Sequence, residues 1–446
     1  MRPALVDRRW FLPALGGALV VLLAALVACE LRPPAGFSPR LGEEPDVSPF
    51  FPAIWRLLPV FSGRGWFQLA TVAIMVALWV TYAGVLALLR RPRADRRRDL
   101  ATVVAVTVAA HLLLLLAPPF GSNDIFHYAV FGRMVNRTGL NPYLTPGAAL
   151  APDAILPYAT WPELSSHYGP AFTWLSALAA WLGGDGVFAT ALCFKGLAVA
   201  FSLGACWVLR RLAIELHGGD GTWTVAAYAW NPLVLIESAA MGHNDTVMIF
   251  LALAGLLLAV RGRPWLGFAA LVVSADIKLL TGVVALLFAV NFVAAAPDAL
   301  ARVRRAAGLA ALTVAVMAAL WIPFWDRWRA FATARQLLFD PTKVQGASLG
   351  SARLAVAIAF AALLLVAVRQ VVRAPLARLT GVAAGVMLAF VVLFPWRWTW
   401  YSMPPLALFS LNHQTRPQRM LIGVVVLWGA ILMLRYTFLH PPAGEH

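Results

Sequence analysis

The apolar run TVVAVTVAAHLLLLLA at residues 102–117 leads into the polar stretch PFGSNDIFHYAVFGRMVNRTGLNPY at 119–143. The run contains no charged side chain, and with its flanking residues it is long enough to cross a bilayer as a helix. The stretch that follows carries an acid, a histidine, two arginines and two tyrosines. Because polar groups are costly in hydrocarbon, the sequence predicts a transmembrane helix that ends near residue 118, followed by a polar segment at the membrane surface.

The whole chain has the composition of a multi-pass membrane protein. Of its 446 residues, 61% are hydrophobic and only 13% are charged, and the mean hydropathy is +0.76. Its apolar residues come in long blocks, which excludes a soluble globular protein. The first block, residues 10–31, follows two arginines as in a signal peptide, but it is longer than a usual h-region and lacks a cleavage site. We therefore predict an all-α polytopic membrane protein whose first block is a transmembrane helix.

Positive charge is concentrated in short loops between the apolar blocks. The formal net charge is +16, and the densest cluster is RRPRADRRRD at 90–99. Loops rich in arginine and lysine stay in the cytoplasm, so the charge indicates orientation in the membrane and no nucleic-acid partner. The three cysteines lie in apolar segments and show no disulfide or metal spacing.

With the N-terminus and the basic loops in the cytoplasm, the sequence predicts about 12 to 13 helices. Three parts follow, namely an N-terminal hairpin with its basic loop, a transmembrane core and a set of C-terminal helices, at 1–99, 100–300 and 301–446. The predicted external loops are 119–170, 324–351 and 395–401. Several spans are shorter than the roughly 20 residues of a full crossing, which is tolerated where helices line a protein cavity. We therefore expect a site near the external face.

Asp124 is the candidate catalytic residue. An acid that lies just beyond a membrane helix, at the mouth of a cavity, can take a proton from a hydroxyl group. Ionisable groups at membrane depth are usually paired or functional. The alternative is a helix N-cap, because SND before IFHYAVFGRMV is also a good helix start with Ser122 or Asn123 as the cap. Both roles are compatible if one polar residue caps the helix and Asp124 points away.

Candidates for substrate binding come from distant parts of the chain. The predicted topology places them on the same side as Asp124: His127, Tyr128, Arg133, Tyr143, Tyr168, His243, Asn244, Asp245, Lys278, Arg397 and Tyr401. The basic residues among them are suited to neutralise a phosphate through charge-assisted hydrogen bonds. For Arg397 and the tryptophans around it, the alternative is a belt of amphipathic side chains at the membrane surface.

Three further polar residues have structural interpretations. Asp245, in GHND at 242–245, begins a predicted helix and could be a simple N-cap. Glu237 is expected to form an ion pair with Lys278 or with a buried histidine. His111, in mid-helix, is predicted to be a hydrogen-bonded interior histidine.

The sequence contains no recognised metal or nucleotide motif. There is no C-x-x-C, HExxH, Walker or GxGxxG element in the right context. Asp124, Glu237, His243 and Asp245 could hold a hard divalent cation only if they converged. We expect no metal and no other cofactor.

Together these segments resemble the GT-C membrane glycosyltransferases. The resemblance is carried by SNDIFHYAVFGRMVNRTGLNPY, YGP at 168–170, GHND at 242–245, SADIKLLTG around Lys278 and PWRWTWYSMPPLAL at 395–408. Their order over about residues 100–412 is similar to that of the actinobacterial-type polyprenol-phosphate-mannose-dependent α-1,6-mannosyltransferases.

The resemblance implies a GT-C fold with a large extracytoplasmic catalytic loop, in the bacterial plasma membrane. It implies an inverting enzyme that moves a sugar, here mannose, from a polyprenyl-phosphate donor to a glycan or glycolipid acceptor. Asp124 matches the family's acid and would deprotonate the acceptor hydroxyl. Lys278, Arg133 or Arg397 would stabilise the departing phosphate. The N-terminal hairpin at 1–99, and the lack of an obvious soluble C-terminal domain, depart from the simplest family plan and leave the acceptor open.

A secondary transporter or a flippase of a lipid-linked or anionic substrate is the alternative class. It would also have about a dozen helices with short broken segments. Such proteins usually contain two corresponding halves, and this sequence shows no internal repeat. A non-catalytic scaffold for another membrane enzyme is a third interpretation, and it would have no need for Asp124.

Overall fold

A computed structural model of the protein describes residues 10–31, 64–91, 95–326, 329, 352–393 and 398–439. These residues form helices and no strand. The helices of the first half are α1 (Phe11–Glu30), α2 (Arg64–Leu89), α3 (Arg96–Leu116), α4 (Asp124–Arg133), α5 (Pro170–Gly183) and α6 (Val187–His217). Those of the second half are α7 (Thr222–Ala229), α8 (Pro232–Leu235), α9 (Asp245–Val260), α10 (Pro264–Ile277), α11 (Gly282–Ala294), α12 (Ala299–Trp321), α13 (Ala352–Val371), α14 (Leu376–Leu393), α15 (Met403–Leu411) and α16 (Arg416–Leu439).

The predicted class, an all-α polytopic membrane protein, is confirmed. Within the described ranges, eight helices are long and apolar enough to cross a membrane, and a bent pair, Pro232–Ala240 with Asp245–Val260, would be a ninth. This is fewer than the 12 to 13 helices expected. The difference lies in short helices such as α10, α11 and α15, which have 14, 13 and 9 residues and are too short to cross alone.

The apolar segment at residues 222–239 is broken into separate helices in the structure. Pro232 has no backbone N–H to continue the helix from α7. Asn231 instead caps a new start, because its Oδ1 accepts hydrogen bonds from the backbone N–H groups of Leu233 and Val234 at 3.0 and 3.4 Å. The single turn of α8 then widens into a π-helical turn, Ile236–Ala240, which contains Glu237. Such π turns are frequent at functional sites.

The chain bends by 113° between this π turn and α9. Gly242 lies at the bend with φ of +70°, a left-handed conformation that favours glycine. A Cβ atom there would also come within 2.9 Å of the Ile125 side chain in α4. The bend therefore brings the GHND segment against the start of α4.

A buried lysine fixes the end of α3, just before the polar stretch. The Lys195 ammonium in α6 donates hydrogen bonds to the carbonyl oxygens of Leu114, at 2.8 Å, and Ala117. A cation at this position satisfies terminal carbonyls and complements the helix dipole. Nearby, His111 contacts Thr107 O and Ser202 Oγ at 2.8 and 2.9 Å, which confirms it as a hydrogen-bonded interior histidine.

Hydrogen bonds to one carboxylate also connect α5, α10 and α12. The Asp276 carboxylate, near the end of α10, accepts from the Ala171 N–H in the first turn of α5 and from Trp321 Nε1 in α12, both at 2.9 Å. Gly169 precedes α5 and packs so closely that a Cβ atom would lie 1.7 Å from the Asp276 carbonyl oxygen. The glycine of YGP is thus required by the close contact between two chain segments.

We expect Gly169→Ala to lower the thermal stability of the protein in detergent by about 1–3 kcal/mol, since the new methyl group must displace backbone. The backbone angles of Gly169, −68° and 158°, are open to alanine, so the contact alone causes the effect. The control is Gly385→Ala in α14, where a Cβ atom meets nothing within 4 Å. Equal melting temperatures for the two variants would contradict the close contact.

Candidate active site

The polar side chains of the candidate site all stand at the ends or breaks of helices. Asp124 is the first residue of α4, and Asp245 is the first residue of α9. His243 lies in the bend before α9, and Lys278 directly follows α10. Helix ends leave backbone groups unpaired and interrupt the apolar surface, so they are the places where this bundle accommodates polar chemistry.

The Asp124 carboxylate is directed toward other side chains and is not used as a helix cap. The side chain of Asn123 makes no capping bond, and Ser122 Oγ accepts from the Asp124 N–H at 3.2 Å. The Asp124 Oδ2 atom lies 3.4 Å from the Tyr128 hydroxyl and 3.7 Å from His243 Nε2. The side chain keeps 13% of its surface exposed, so a substrate hydroxyl can reach it.

His243 lies between two carboxylates. Its Nε2 faces Asp124, and its Nδ1 is 2.9 Å from Glu237 Oε2. The ring packs on Trp400 with centroids 4.1 Å apart, and Ser122 Oγ lies 3.3 Å from Nε2. The imidazole is fully buried, so these contacts fix its position.

The second carboxylate oxygen of Glu237, Oε1, accepts a hydrogen bond from the Thr399 hydroxyl. Of the two partners expected for Glu237, the structure selects the buried histidine, His243, and not Lys278. The carboxylate in the π turn thus connects α8 to the turn Thr399–Ser402 before α15.

Lys278 and Asp245 form a buried ion pair with Nζ and Oδ2 2.5 Å apart. The interpretation of Asp245 as an N-cap is wrong: Asn244 occupies that position, without a capping side-chain bond. Three aromatic rings surround the ammonium, those of Tyr401, Trp400 and Tyr168, with centroids 5.4, 5.8 and 5.9 Å from Nζ. Their π faces favour a cation at this point.

Several buried polar atoms at the site have no hydrogen-bond partner within the described part of the chain. They are Asn123 Oδ1, Asn244 Oδ1 and Nδ2, Asp245 Oδ1, Ser402 Oγ and His243 Nδ1. The Nδ1 atom lies 2.9 Å from Glu237 Oε2, but the two are not aligned as a hydrogen bond and interact through charge. Buried polar groups are normally satisfied, and each exception calls for an explanation. An arrangement of unpaired amide, carboxylate and hydroxyl groups is suited to bind a ligand that is rich in hydroxyl groups.

The aromatic candidates have two different positions. Burial raises the pKa of the Tyr128 hydroxyl well above its usual value, so the phenol stays protonated and can donate to Asp124. Its ring meets that of Tyr168 edge to face, with centroids 5.0 Å apart. Tyr143, by contrast, is remote from this cluster: its hydroxyl bonds to Thr173 at 2.7 Å and its ring packs on Phe324.

His127 has a structural contact. Its Nε2 accepts hydrogen bonds from the backbone N–H groups of Thr160 and Trp161 at 3.0 and 3.1 Å. Burial lowers the pKa of His127, which agrees with a neutral ring that accepts through Nε2. His127 therefore fastens the loop between α4 and α5 to α4.

Arg133 is not brought to the cluster. It is buried and pairs with Asp153, and it also donates to Gly184 O and Thr190 Oγ1 at 2.9 and 3.0 Å. Its predicted role in phosphate binding has no support in these contacts. Arg397, the other predicted phosphate ligand, lies outside the described residues.

In the part of the chain that the structure describes, no three His, Cys, Asp or Glu side chains are arranged to hold a metal ion. The charges at the site are three carboxylates, one ammonium and one imidazole, from Asp124, Glu237, Asp245, Lys278 and His243. With all three carboxylates ionised, the net charge of the site is therefore −1 if His243 is protonated and −2 if it is uncharged.

The fold and the site together define a multi-pass membrane protein with a cluster of charged side chains at its helix breaks. Residues 38–295, more than half of the chain, match the family described as "Alpha-(1->6)-mannopyranosyltransferase, N-terminal domain". The chain belongs to this family. The match contains Asp124, Glu237, His243, Asp245 and Lys278, and it ends before Trp400 and Tyr401.

Two curated relatives have the same name, alpha-(1->6)-mannopyranosyltransferase A. The protein of Corynebacterium glutamicum is 30% identical over 194 residues, which cover 43% of this chain and 39% of the relative. That of Mycobacterium tuberculosis is 31% identical over 221 residues, which cover 48% of this chain and 40% of the relative. The matches thus span about 40% of the length of these relatives. No solved structure matches the chain.

We expect Lys278→Met to destabilise the protein by about 3–5 kcal/mol, because it leaves the Asp245 carboxylate buried without its counter-charge. The double variant Lys278→Met/Asp245→Asn should recover much of that loss, as thermal unfolding in detergent would show. Arg261→Met is the control, since Arg261 pairs with Glu215 at the surface and an exposed pair contributes little. Equal effects of Lys278→Met and Arg261→Met would contradict a buried pair.

Proposed function

We propose that the protein transfers mannose from a polyprenyl-phosphate donor to a glycan or glycolipid acceptor, with inversion at the anomeric carbon. The observation that carries the proposal is the partly exposed Asp124 carboxylate, backed by His243 and Glu237, within the region that matches a mannosyltransferase family. We also propose that the site opens on the extracytoplasmic side, because the basic loops lie toward the cytoplasm under the positive-inside rule.

Asp124 acts as the general base in this scheme. The carboxylate takes the proton of the acceptor hydroxyl as its oxygen attacks the anomeric carbon. The bond from that carbon to the phosphate oxygen breaks on the opposite face, and its electron pair leaves with the phosphate. One base and one displacement account for inversion without a covalent enzyme intermediate.

His243 assists by receiving the proton from Asp124, and Glu237 holds His243 in the tautomer that can receive it. A carboxylate 2.9 Å from Nδ1 favours the tautomer with the proton on Nδ1, which leaves Nε2 free to accept. The 3.7 Å from Nε2 to Asp124 is longer than a hydrogen bond, and such distances often shorten when substrate binds. Glu237 is a positioning residue here, because it acts through His243.

The charge balance of the site suits glycosyl transfer. The anomeric carbon gains positive charge in the transition state, and nearby carboxylates stabilise it. The departing phosphate is negative, and Lys278 is the cation available to it among the described residues. Arg397, which directly precedes Trp398 in the sequence, is proposed as its second partner. The scheme requires no metal ion.

A lipid-linked donor is supported by the apolar surface beside Lys278. Leu279, the next residue, is 60% exposed and would lie against a polyprenyl chain. The unpaired amide of Asn244 and the hydroxyl of Ser402 are proposed to bind sugar hydroxyl groups. The lipid bilayer is therefore part of the substrate-binding environment.

We expect Asp124→Asn to lower the rate of mannose transfer by about 10²–10⁴-fold, the usual contribution of a general base. The assay combines purified protein, radiolabelled polyprenyl-phosphomannose and short α-mannoside acceptors. Asp185→Asn is the control, because the Asp185 side chain is 97% exposed, and we expect it to keep the wild-type rate.

Equal rates for wild type and Asp124→Asn would remove Asp124 as the base and favour Asp245 or Glu237. If the wild type transferred no sugar from several donors, the enzyme proposal would fail, and the transporter or flippase class would replace it. Uptake of the same lipid-linked sugars by vesicles that contain the protein would then be the test.

We expect Glu237→Gln to lower kcat by about 10²-fold with little change in KM for the donor, since the wrong histidine tautomer blocks proton transfer. The Thr399 hydroxyl still donates to the glutamine carbonyl, so the amide N–H faces Nδ1 and moves the ring proton to Nε2. A ¹⁵N spectrum of histidine-labelled protein in bilayers would report this tautomer change. His243→Gln assigns the signal.

The tautomer measurement does not depend on enzymatic activity, so the relay is testable even if the donor is not mannose. Thr399→Val is the matched control, because it removes the bond to Glu237 and keeps the carboxylate. We expect it to keep the proton on Nδ1. An unchanged His243 signal in Glu237→Gln would show that Glu237 does not set the tautomer.

A further inference from the structure

A groove lies between α11, α12 and the residues that follow α13. Its volume is about 720 Å³, and its walls are mostly apolar side chains, among them Phe268, Val290, Val293, Leu309 and Val372. Two arginines, Arg302 and Arg373, complete the lining. The groove approaches the C-terminal end of α11, which is about 20 Å from the start of that helix and so from the Lys278 end.

Both arginines are without an acidic partner in the part of the chain that the structure describes. Among the described residues, no ion pair involves Arg302 or Arg373, and the buried Nε of Arg302 has no hydrogen-bond partner. Arg305, one turn from Arg302, has a different role: it donates to Phe292 O at 2.7 Å and stacks over the Phe292 ring. Arg302 and Arg373 thus keep their charge available, and Arg305 is fixed to the protein.

Arg373 adopts a backbone conformation that an arginine normally avoids. Its φ is +56°, and it follows the end of α13, where glycine usually closes the helix in this left-handed form. The Ala374 N–H bonds to Val371 O at 3.0 Å and closes the turn. The Arg373 Nε donates only a long bond, 3.4 Å, to Ala294 O. An arginine at a glycine-type position indicates a use for its side chain.

Positive charge continues past the groove. A second cavity of about 560 Å³ shares Val372 and Arg373 with it and is also lined by Arg369 and Arg378. No aspartate or glutamate is among the described residues that line either cavity. An anion would therefore be attracted from the surface toward the groove.

We propose that the groove binds one anionic phospholipid. The phosphate lies between Arg302 and Arg373, whose guanidinium groups suit bidentate phosphate binding. An acyl chain lies along the apolar wall that α11 and α12 form. A free phosphate ion would have no use for that wall, whereas basic pockets between transmembrane helices are suited to acidic lipid headgroups. This proposal does not depend on the proposed enzymatic activity.

The test is native mass spectrometry of the full-length protein in detergent, titrated with phosphatidylglycerol, with phosphatidylcholine and with inorganic phosphate. We expect one tightly bound phosphatidylglycerol, and at least a 5-fold loss of its occupancy in the double variant Arg302→Gln/Arg373→Gln. Arg304→Gln is the matched control, because Arg304 is exposed on the same helix and lies outside the groove lining.

An equal loss of phosphatidylglycerol in Arg304→Gln would show that only general surface charge attracts the lipid. Equally tight binding of phosphatidylcholine by the wild type would show that the charge of the headgroup is not recognised. Either result would overturn the proposal. Binding of inorganic phosphate alone would replace the lipid by a free anion and would also overturn it.

The single variant Arg373→Gly distinguishes lipid binding by Arg373 from a purely structural role of this residue at the end of α13. Glycine at position 373 relieves the left-handed strain, so Arg373→Gly should keep or raise the melting temperature of the protein in detergent. If Arg373 binds the lipid phosphate, the same variant should lose phosphatidylglycerol. If it retained the lipid at the wild-type level, Arg373 would be only a helix end and the proposed site would be wrong.

Discussion

The pairing of buried charge at the bend before α9 is the constraint on which the rest of this structure depends. A carboxylate or ammonium group inside an apolar bundle is tolerated only with a partner. Lys278 meets Asp245 at 2.5 Å, and His243 meets Glu237 at 2.9 Å. These two pairs tie α8, α9 and α10 together at one point. Asp124 is the acid that remains partly exposed beside them, which is why we propose it as the reacting group.

The helix breaks that create this point are each fixed by a simple local feature. Pro232 ends the helix that α7 began, and Gly242 permits the 113° bend that follows. Lys195 holds the end of α3, and Asp276 holds the start of α5, on either side of the polar stretch. A site made of helix ends needs such anchors, because the ends themselves have few regular hydrogen bonds.

Charge is divided between the two ends of α11. The end near Lys278 gathers carboxylates, whose negative charge favours a transition state with positive character. The other end gathers arginines around an apolar groove. Membership of the mannopyranosyltransferase family and the acidic end support the proposed sugar transfer. The arginines at the C-terminal end of α11 support the proposed phospholipid contact. That contact would hold α11 at the end opposite to Lys278.

The sequence alone determined the all-α membrane class, the position of Asp124 just beyond an apolar helix, and the segments around 242–245 and 278 that join it. Those features are local, since hydropathy and breaks depend on neighbouring residues. Only the tertiary structure decided that Glu237 pairs with His243, that Asp245 pairs with Lys278, and that Arg133 is held by Asp153. A sequence pattern does not show which acidic residue pairs with which basic one, because residues of the same charge look alike in it. The distances between side chains in the folded bundle decide the pairing. The same holds for Arg302 and Arg373, which share a groove only because α11 packs against both α12 and α13.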